Sequence, residues 1–248
     1  MKRILCLFSA LTLVLTSCTN EESSSEEKSL LPQTEIYTNG SEPAENSTIK
    51  YFYDGNKIDS LNYEDGSKTV FTYSGDLITK AIYTENDEGE EYSTTTTFTY
   101  ENNKLISFLE TSSESESYRR KTYKYNPNGT ISTITVLINP KTNEEIIDSS
   151  SILTLDANGN IIKAEFNDSV NTVEYDSKNN PFKSITGYIF LLDSGIFDQE
   201  VNTVNNISKI TENKGGVNTG TSTYENTYNS DNYLIKSVQG DETYEYTY

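Results

Sequence analysis

Tyr123-Lys-Tyr-Asn-Pro-Asn-Gly-Thr-Ile-Ser-Thr-Ile134 reads as strand, turn, strand. Tyr123 and Tyr125 alternate with a polar residue and fall on one face of an extended chain. Asn126-Pro127-Asn128-Gly129 carries the residues that tight turns use, and Ile131 and Ile134 open a return strand. Near-copies recur on both sides. Tyr51 to Ile58, Phe71 to Ile78, Phe98 to Leu105, Leu153 to Ile161, Val173 to Phe182 and Thr227 to Leu234 repeat the pattern, with a weaker copy at Val201 to Ile210. The chain stops on one more opening strand, Tyr244-Glu-Tyr246-Thr-Tyr248. Successive anchors at 53, 73, 100, 125, 155 and 175 lie 20 to 30 residues apart, room for two strands and two turns per interval.

Thr, Tyr, Ile and Val dominate these runs with a period of two, and helical periodicity is nearly absent. Return strands such as Leu105-Ile106-Ser107-Phe108-Leu109 are apolar on both faces, so the sheet has to curl on itself or meet a second layer. Closure also removes edges that Thr- and Tyr-rich strands would expose to aggregation. The expected fold is all-β, an antiparallel meander of repeated hairpins with about sixteen to eighteen strands at two per copy, forming a large barrel or a strongly curled sheet.

The copies resemble the YD repeats of Rhs-type and teneurin-type proteins, in which Tyr-Asp closes a strand before a Gly turn. They are also similar to lipoproteins of Gram-negative bacteria with a DUF4595-like domain, a resemblance that implies a large antiparallel β-barrel. The Gly-Arg-Leu part of the strong YD consensus is absent, and nine degenerate units are too few for a long spiral shell.

The N-terminus implies an address. Met1-Lys2-Arg3 is basic, and Ile4 to Leu15 is apolar but too short to span a bilayer. Leu15-Thr16-Ser17-Cys18 resembles the lipobox of bacterial lipoprotein signals, which implies cleavage before Cys18 and lipidation of its thiol. Residues 1–17 then form the signal peptide, 18–34 an acidic Ser/Glu-rich tether, and 35–248 the β-hairpin repeat domain. Cys6 leaves with the signal, so the mature chain has neither a disulfide nor a spare thiol. Thr19 to Lys28 is too polar to bury a core and is expected to be disordered, and a coil from Thr19 to Gln33 would hold the domain roughly 20 Å from its anchor. An acidic run after the lipidated cysteine also resembles the signal for display on the outer face of the outer membrane.

The sequence has 19 Lys and Arg against 38 Asp and Glu. Loss of Lys2 and Arg3 with the signal leaves 17 basic residues, a net charge of −21. That balance repels phosphate backbones and anionic headgroups, so nucleic acid is not an expected partner; the membrane is met through the lipid. The basic Arg119-Arg120-Lys121 run is expected to pair with carboxylates across strands on a solvated surface.

Chemistry-bearing patterns are sparse. There is no histidine and no tryptophan, which removes the commonest general base and the commonest metal ligand. Ser25-Glu26-Glu27-Lys28 spells Ser-x-x-Lys within the tether, where nothing preorganises a nucleophile. Asp156 to Asn160 departs from the calcium-loop order and suits a hairpin turn instead, and Gly215 to Gly220 lacks the Lys-Ser/Thr of a phosphate loop. Nothing calls for a cofactor or a metal. Asp59-Ser60-Leu61 and Asp168-Ser169-Val170 resemble the O-glycosylation sequon of some Gram-negative bacteria, with Ser60 and Ser169 as acceptors.

Nineteen tyrosines could form a glycan platform, although their recurrence at one repeat position argues for packing. Tyr188 to Phe197 breaks the repeat and is the most apolar stretch of the mature chain. Ile189, Phe190, Leu191, Leu192, Ile196 and Phe197 are expected either as a buried strand pair turning at Asp193-Ser194-Gly195 or as a docking patch. The resulting expectation is a lipid-anchored envelope protein that binds a glycan or protein ligand or acts as a scaffold, without catalysis. The rival readings are a glycan hydrolase using a carboxylate pair and a membrane-embedded β-barrel; the aromatic end at Tyr248 is similar to the terminal signal of the latter.

Overall fold

The computed structural model describes residues 29–87, 89–113, 115–197 and 201–248. Cys18, the signal and most of the tether lie outside that range. Seventeen strands form one sheet. They are β1 (Thr34–Asn39), β2 (Ser47–Asp54), β3 (Lys57–Tyr63), β4 (Lys68–Ser74), β5 (Leu77–Asp87) and β6 (Glu90–Glu101). Then follow β7 (Lys104–Ser112), β8 (Tyr118–Tyr125), β9 (Ile131–Ile138), β10 (Glu145–Leu155), β11 (Ile161–Phe166) and β12 (Ser169–Tyr175). After a long insertion come β13 (Ile207–Lys214), β14 (Val217–Thr223), β15 (Glu225–Tyr228), β16 (Leu234–Gln239) and β17 (Glu242–Thr247).

Each strand from β1 to β14 pairs antiparallel with the next. β15 to β17 continue the meander, and β17 returns to β1, with Thr34 opposite Thr247 and Asn39 opposite Glu242. β14 and β15 are one extended run broken at Tyr224; its first part pairs with β13 and its second with β16. The sheet is therefore a nearly closed barrel, as the period-two pattern and the need to bury two-faced strands predict.

The repeat owes its spelling to a bulge. In β3, β5, β7, β11 and β16 the register slips by one residue just after the hairpin, at Asp59, Thr79, Ile106, Ile162 and Ile235. The extra residue shifts the inward face, so Ile58 and Leu61, Ile78 and Ala81, and Leu105 and Phe108 all point into the barrel although they lie three apart. The tyrosine of the next copy closes over that bulge. Tyr100 Oη donates to the Ile78 carbonyl at 2.8 Å, Tyr125 to Leu105 at 3.2 Å, Tyr175 to Ile161 at 2.8 Å and Tyr248 to Leu234 at 2.6 Å. These four copies are thus stapled to their predecessors. The unit at Tyr123–Ile134 has the longer Asn126–Thr130 turn and no slip, with Tyr125 opposite Ile131. As a result Ile131 and Thr133 alternate inward, and Ile134 faces solvent.

Residues 176–197 and 201–206 leave the repeat and fill the barrel. The copy expected at Val173 to Phe182 ends with β12: Phe182 is not the start of a return strand but a fully buried core residue in contact with Tyr51, Tyr188, Phe197 and Tyr246. The weak copy at 201–210 yields a strand only from Ile207. Tyr188–Leu191 is a 3-10 turn instead of the first half of a strand pair. Gly187 (φ +86) and Leu192 (φ +53) bracket it in the left-handed region, which interrupts any extended run. A Cβ on Gly187 would lie 2.8 Å from the Asp76 carbonyl oxygen, so the plug enters against the β4–β5 turn through a gap only glycine fits.

Candidate functional site

The plug is anchored by polar side chains that the barrel points inward. Lys121 on β8 forms an ion pair with Asp193 at 2.5 Å, and Tyr123 Oη donates to the other Asp193 oxygen at 2.7 Å. The Lys121 and Asp193 side chains are 14% and 15% exposed. Lys121 therefore lies in the lumen and not on the solvated surface expected for the basic run; its neighbours Arg119 and Arg120 pair with Glu110 at 3.0 Å and Glu145 at 2.5 Å. Burial, reinforced by Asp193, pushes the Tyr123 phenol far above its ordinary value. At the plug's exit, Asn160 Oδ1 in the β10–β11 turn accepts from the Val204 amide at 2.9 Å. That Asp156–Asn160 turn is held by its own side chain, Asp156 Oδ1 accepting from the amides of Asn158 and Asn160.

Of the apolar plug residues singled out in the sequence, Leu191, Leu192 and Phe197 are buried, Ile189 and Ile196 half-buried, and Phe190 is 39% exposed. Ser60 is buried on β3, its hydroxyl donating to Asp59 at 3.2 Å, and Ser169 opens β12 half-buried. Among the described residues no group of His, Cys, Asp and Glu could hold a metal ion.

Two wells open in the lumen, lined by strand residues and plug together. One, of about 370 Å³, lies among Tyr63, Tyr83, Thr94, Thr96 and Glu110 with Ile196 as its plug wall. Tyr63 and Tyr83 meet edge to face there, 5.8 Å between ring centres. The other, of about 210 Å³, lies where β13–β17 face the plug and is lined by Asn206, Tyr224, Asn226, Glu242, Tyr244 and Tyr246 among others. Behind its wall sits Asp176, whose carboxylate accepts from Asn206 Nδ2 at 3.3 Å, from Asn226 Nδ2 at 3.5 Å and from the Tyr228 hydroxyl. Sequence reading passed over this well because its residues come from two separated stretches, 176–206 and 224–246. The repeated Asn in 179–206 was the visible signal.

The outer face mixes polar and apolar side chains: Phe52, Val70, Ile134 and Ile152 are exposed on β2, β4, β9 and β10, among charged and hydroxyl groups. Lys209 pairs with Glu174 at 2.8 Å across β12 and β13, and Lys236 with Glu245 at 2.8 Å across β16 and β17. Lys163 and Glu165 pair at 2.8 Å along β11. Thr95, Thr97 and Thr99 line the outside of β6, opposite in facing to buried Thr96 and Phe98.

No family model matches the chain, and no curated protein does. Among solved structures it is similar to a porin-like protein from Bacteroides vulgatus, with a TM-score of 0.56 at 12% identity over 88% of this chain and 98% of that one. A porin-like protein from Bacteroides uniformis has a TM-score of 0.47 at 13% identity, covering 89% and 98%. At such identity the first likeness speaks to the fold: this is a barrel of that general shape.

Proposed function

We propose that the protein is a lipid-anchored component of the outer membrane whose barrel stands in water and acts by binding, not catalysis. The carrying observation is radial polarity. Ile49, Leu61, Phe71, Ile78, Phe98, Phe108, Leu153 and Ile161 point inward onto an apolar plug, while outside, ion pairs and threonines are interspersed among the exposed Phe52, Val70, Ile134 and Ile152. A barrel embedded in lipid has the opposite arrangement, an apolar outer band around a polar interior, and charges at mid-strand there cost about 2–4 kcal/mol each. The Tyr248 end similar to a membrane-barrel signal serves here as a core staple, its ring 5.5 Å from Tyr233. The acidic run after Cys18 extends the proposal to display on the cell surface.

A binding role is supported by what the lumenal carboxylates do. Glu35, Glu110, Asp176 and Asp193 spend oxygens on Tyr51, on Arg119, on Asn206, Asn226 and Tyr228, and on Lys121 and Tyr123, and Glu242 faces the smaller well as a single acid among the described residues. Groups so engaged are structural, whereas a hydrolase needs two carboxyl groups facing one substrate.

Replacement of Cys18 tests the anchor. The Cys18→Ser protein is expected to lose its acyl label and to fractionate as a folded, detergent-free soluble protein. Retention in carbonate-washed membranes would instead establish an embedded barrel.

A further inference from the structure

We infer that the smaller lumenal well, of about 210 Å³, is a binding site for a neutral sugar, one ring at a time. This rests on the binding role proposed above and names the ligand class.

The inference starts from two amide oxygens. Asp176 fixes the orientation of both Asn206 and Asn226, because a carboxylate accepts hydrogen bonds and so draws the amide nitrogen of each. Asn206 Nδ2 donates to both Asp176 oxygens and to the Asn179 carbonyl, all at 3.3 Å. Asn226 Nδ2 donates to the Ile207 carbonyl at 2.9 Å and to Asp176 at 3.5 Å. With the nitrogens committed, the oxygens are turned the other way. Asn206 Oδ1 and Asn226 Oδ1 are buried, and neither has a donor among the described residues. A buried acceptor left unmatched costs about 1–3 kcal/mol, so a donor from outside the chain is called for, and both residues line the same well.

The rest of the lining selects the donor. Among the described residues no Lys or Arg lines the well, so an anion meets no counter-charge from them. A metal ion would want converging carboxylates, but among the described residues Glu242 is the only acid in the lining and the Asp176 oxygens are already occupied. A hydroxyl-bearing ring supplies O–H donors for the two asparagine oxygens and a C–H face for Tyr224, Tyr244 and Tyr246. The volume is below the about 300–1,000 Å³ of sites for drug-sized ligands, the scale of one sugar ring and not of a chain.

The test is saturation-transfer NMR on the acylated full-length protein, in a detergent without a sugar headgroup. The probes are glucose, galactose, mannose, fucose, N-acetylglucosamine and N-acetylgalactosamine. At least one is expected to bind with Kd on the order of 1 mM, and to weaken at least about tenfold in Ser237→Leu, which fills the well from β16. Tyr224→Ala is the second variant, removing one ring without adding bulk; with an unchanged thermal midpoint it should weaken the same sugar. Absence of binding by all six probes, or equal binding in both variants, overturns the sugar site. Either result leaves the anchored-barrel proposal to its own test, since Cys18→Ser fractionation does not depend on any ligand.

Discussion

At the scale of single residues, the lumen is held by polar contacts that the barrel shields from water. Lys121 and Asp193 form an ion pair between wall and plug. Removing one partner leaves the other charge buried alone, so Asp193→Ala is expected to cost about 3–5 kcal/mol in urea unfolding. The double replacement Lys121→Met with Asp193→Leu removes both charges and should recover most of that loss. A double variant as unstable as Asp193→Ala would show that the contact matters for shape and not for charge. The repeat tyrosines work at the same scale. The hydroxyls of Tyr100, Tyr125, Tyr175 and Tyr248 each satisfy a carbonyl beside a bulge, a bond worth about 1 kcal/mol.

At the scale of elements, the plug distinguishes this barrel from an empty one. Its residues are unequal: Leu191 is fully buried, whereas the adjacent Phe190 is 39% exposed. Leu191→Ala should therefore cost about 2–5 kcal/mol and lower the thermal midpoint by several degrees. Phe190→Ala should cost less than about 1.5 kcal/mol, as a partly exposed side chain leaves little cavity. Equal losses from the two, read by calorimetry, would mean that the plug turn packs the other way round.

At the scale of the whole molecule, the interior is a shell of protonated phenols. Tyr51 and Tyr246 are held well above the ordinary tyrosine value by burial first and by Glu35 second. Burial raises Tyr73 to about 12. A raised folded-state value means that the fold prefers the neutral phenol. That stability is fully present below the unfolded value of about 10 and is lost as pH climbs toward the folded values. With no histidine in the chain, no imidazole titrates near neutrality. Unfolding free energy should fall steeply above pH ~10, by about 1.4 kcal/mol per unit for each of the deeply buried Tyr51, Tyr123 and Tyr246. Phenolate absorbance should appear together with loss of β-sheet circular dichroism. Phenolate absorbance from all nineteen tyrosines while the sheet is intact would contradict the buried shell.

The sequence by itself determined the repeating antiparallel hairpin, because alternation and turn residues act over a few neighbours and leave a local mark. It also determined the strand number closely, since each copy contributes two. Tertiary structure alone decided the rest. That β17 finds its partner in β1, at the other end of the chain, follows from ring closure, which no local pattern encodes. Leu105 and Phe108, three apart in a strand that reads as apolar on both faces, both point inward because of the bulge at Ile106. The Tyr188–Phe197 stretch announced its apolarity but not its shape. Inside a barrel whose strands already pair with their neighbours it has no sheet edge to join, so it fills the lumen as turns. The sugar well depends on the same long-range fact: Asn206 and Asn226 share it because Asp176, some thirty and fifty residues earlier, draws both amides to one side.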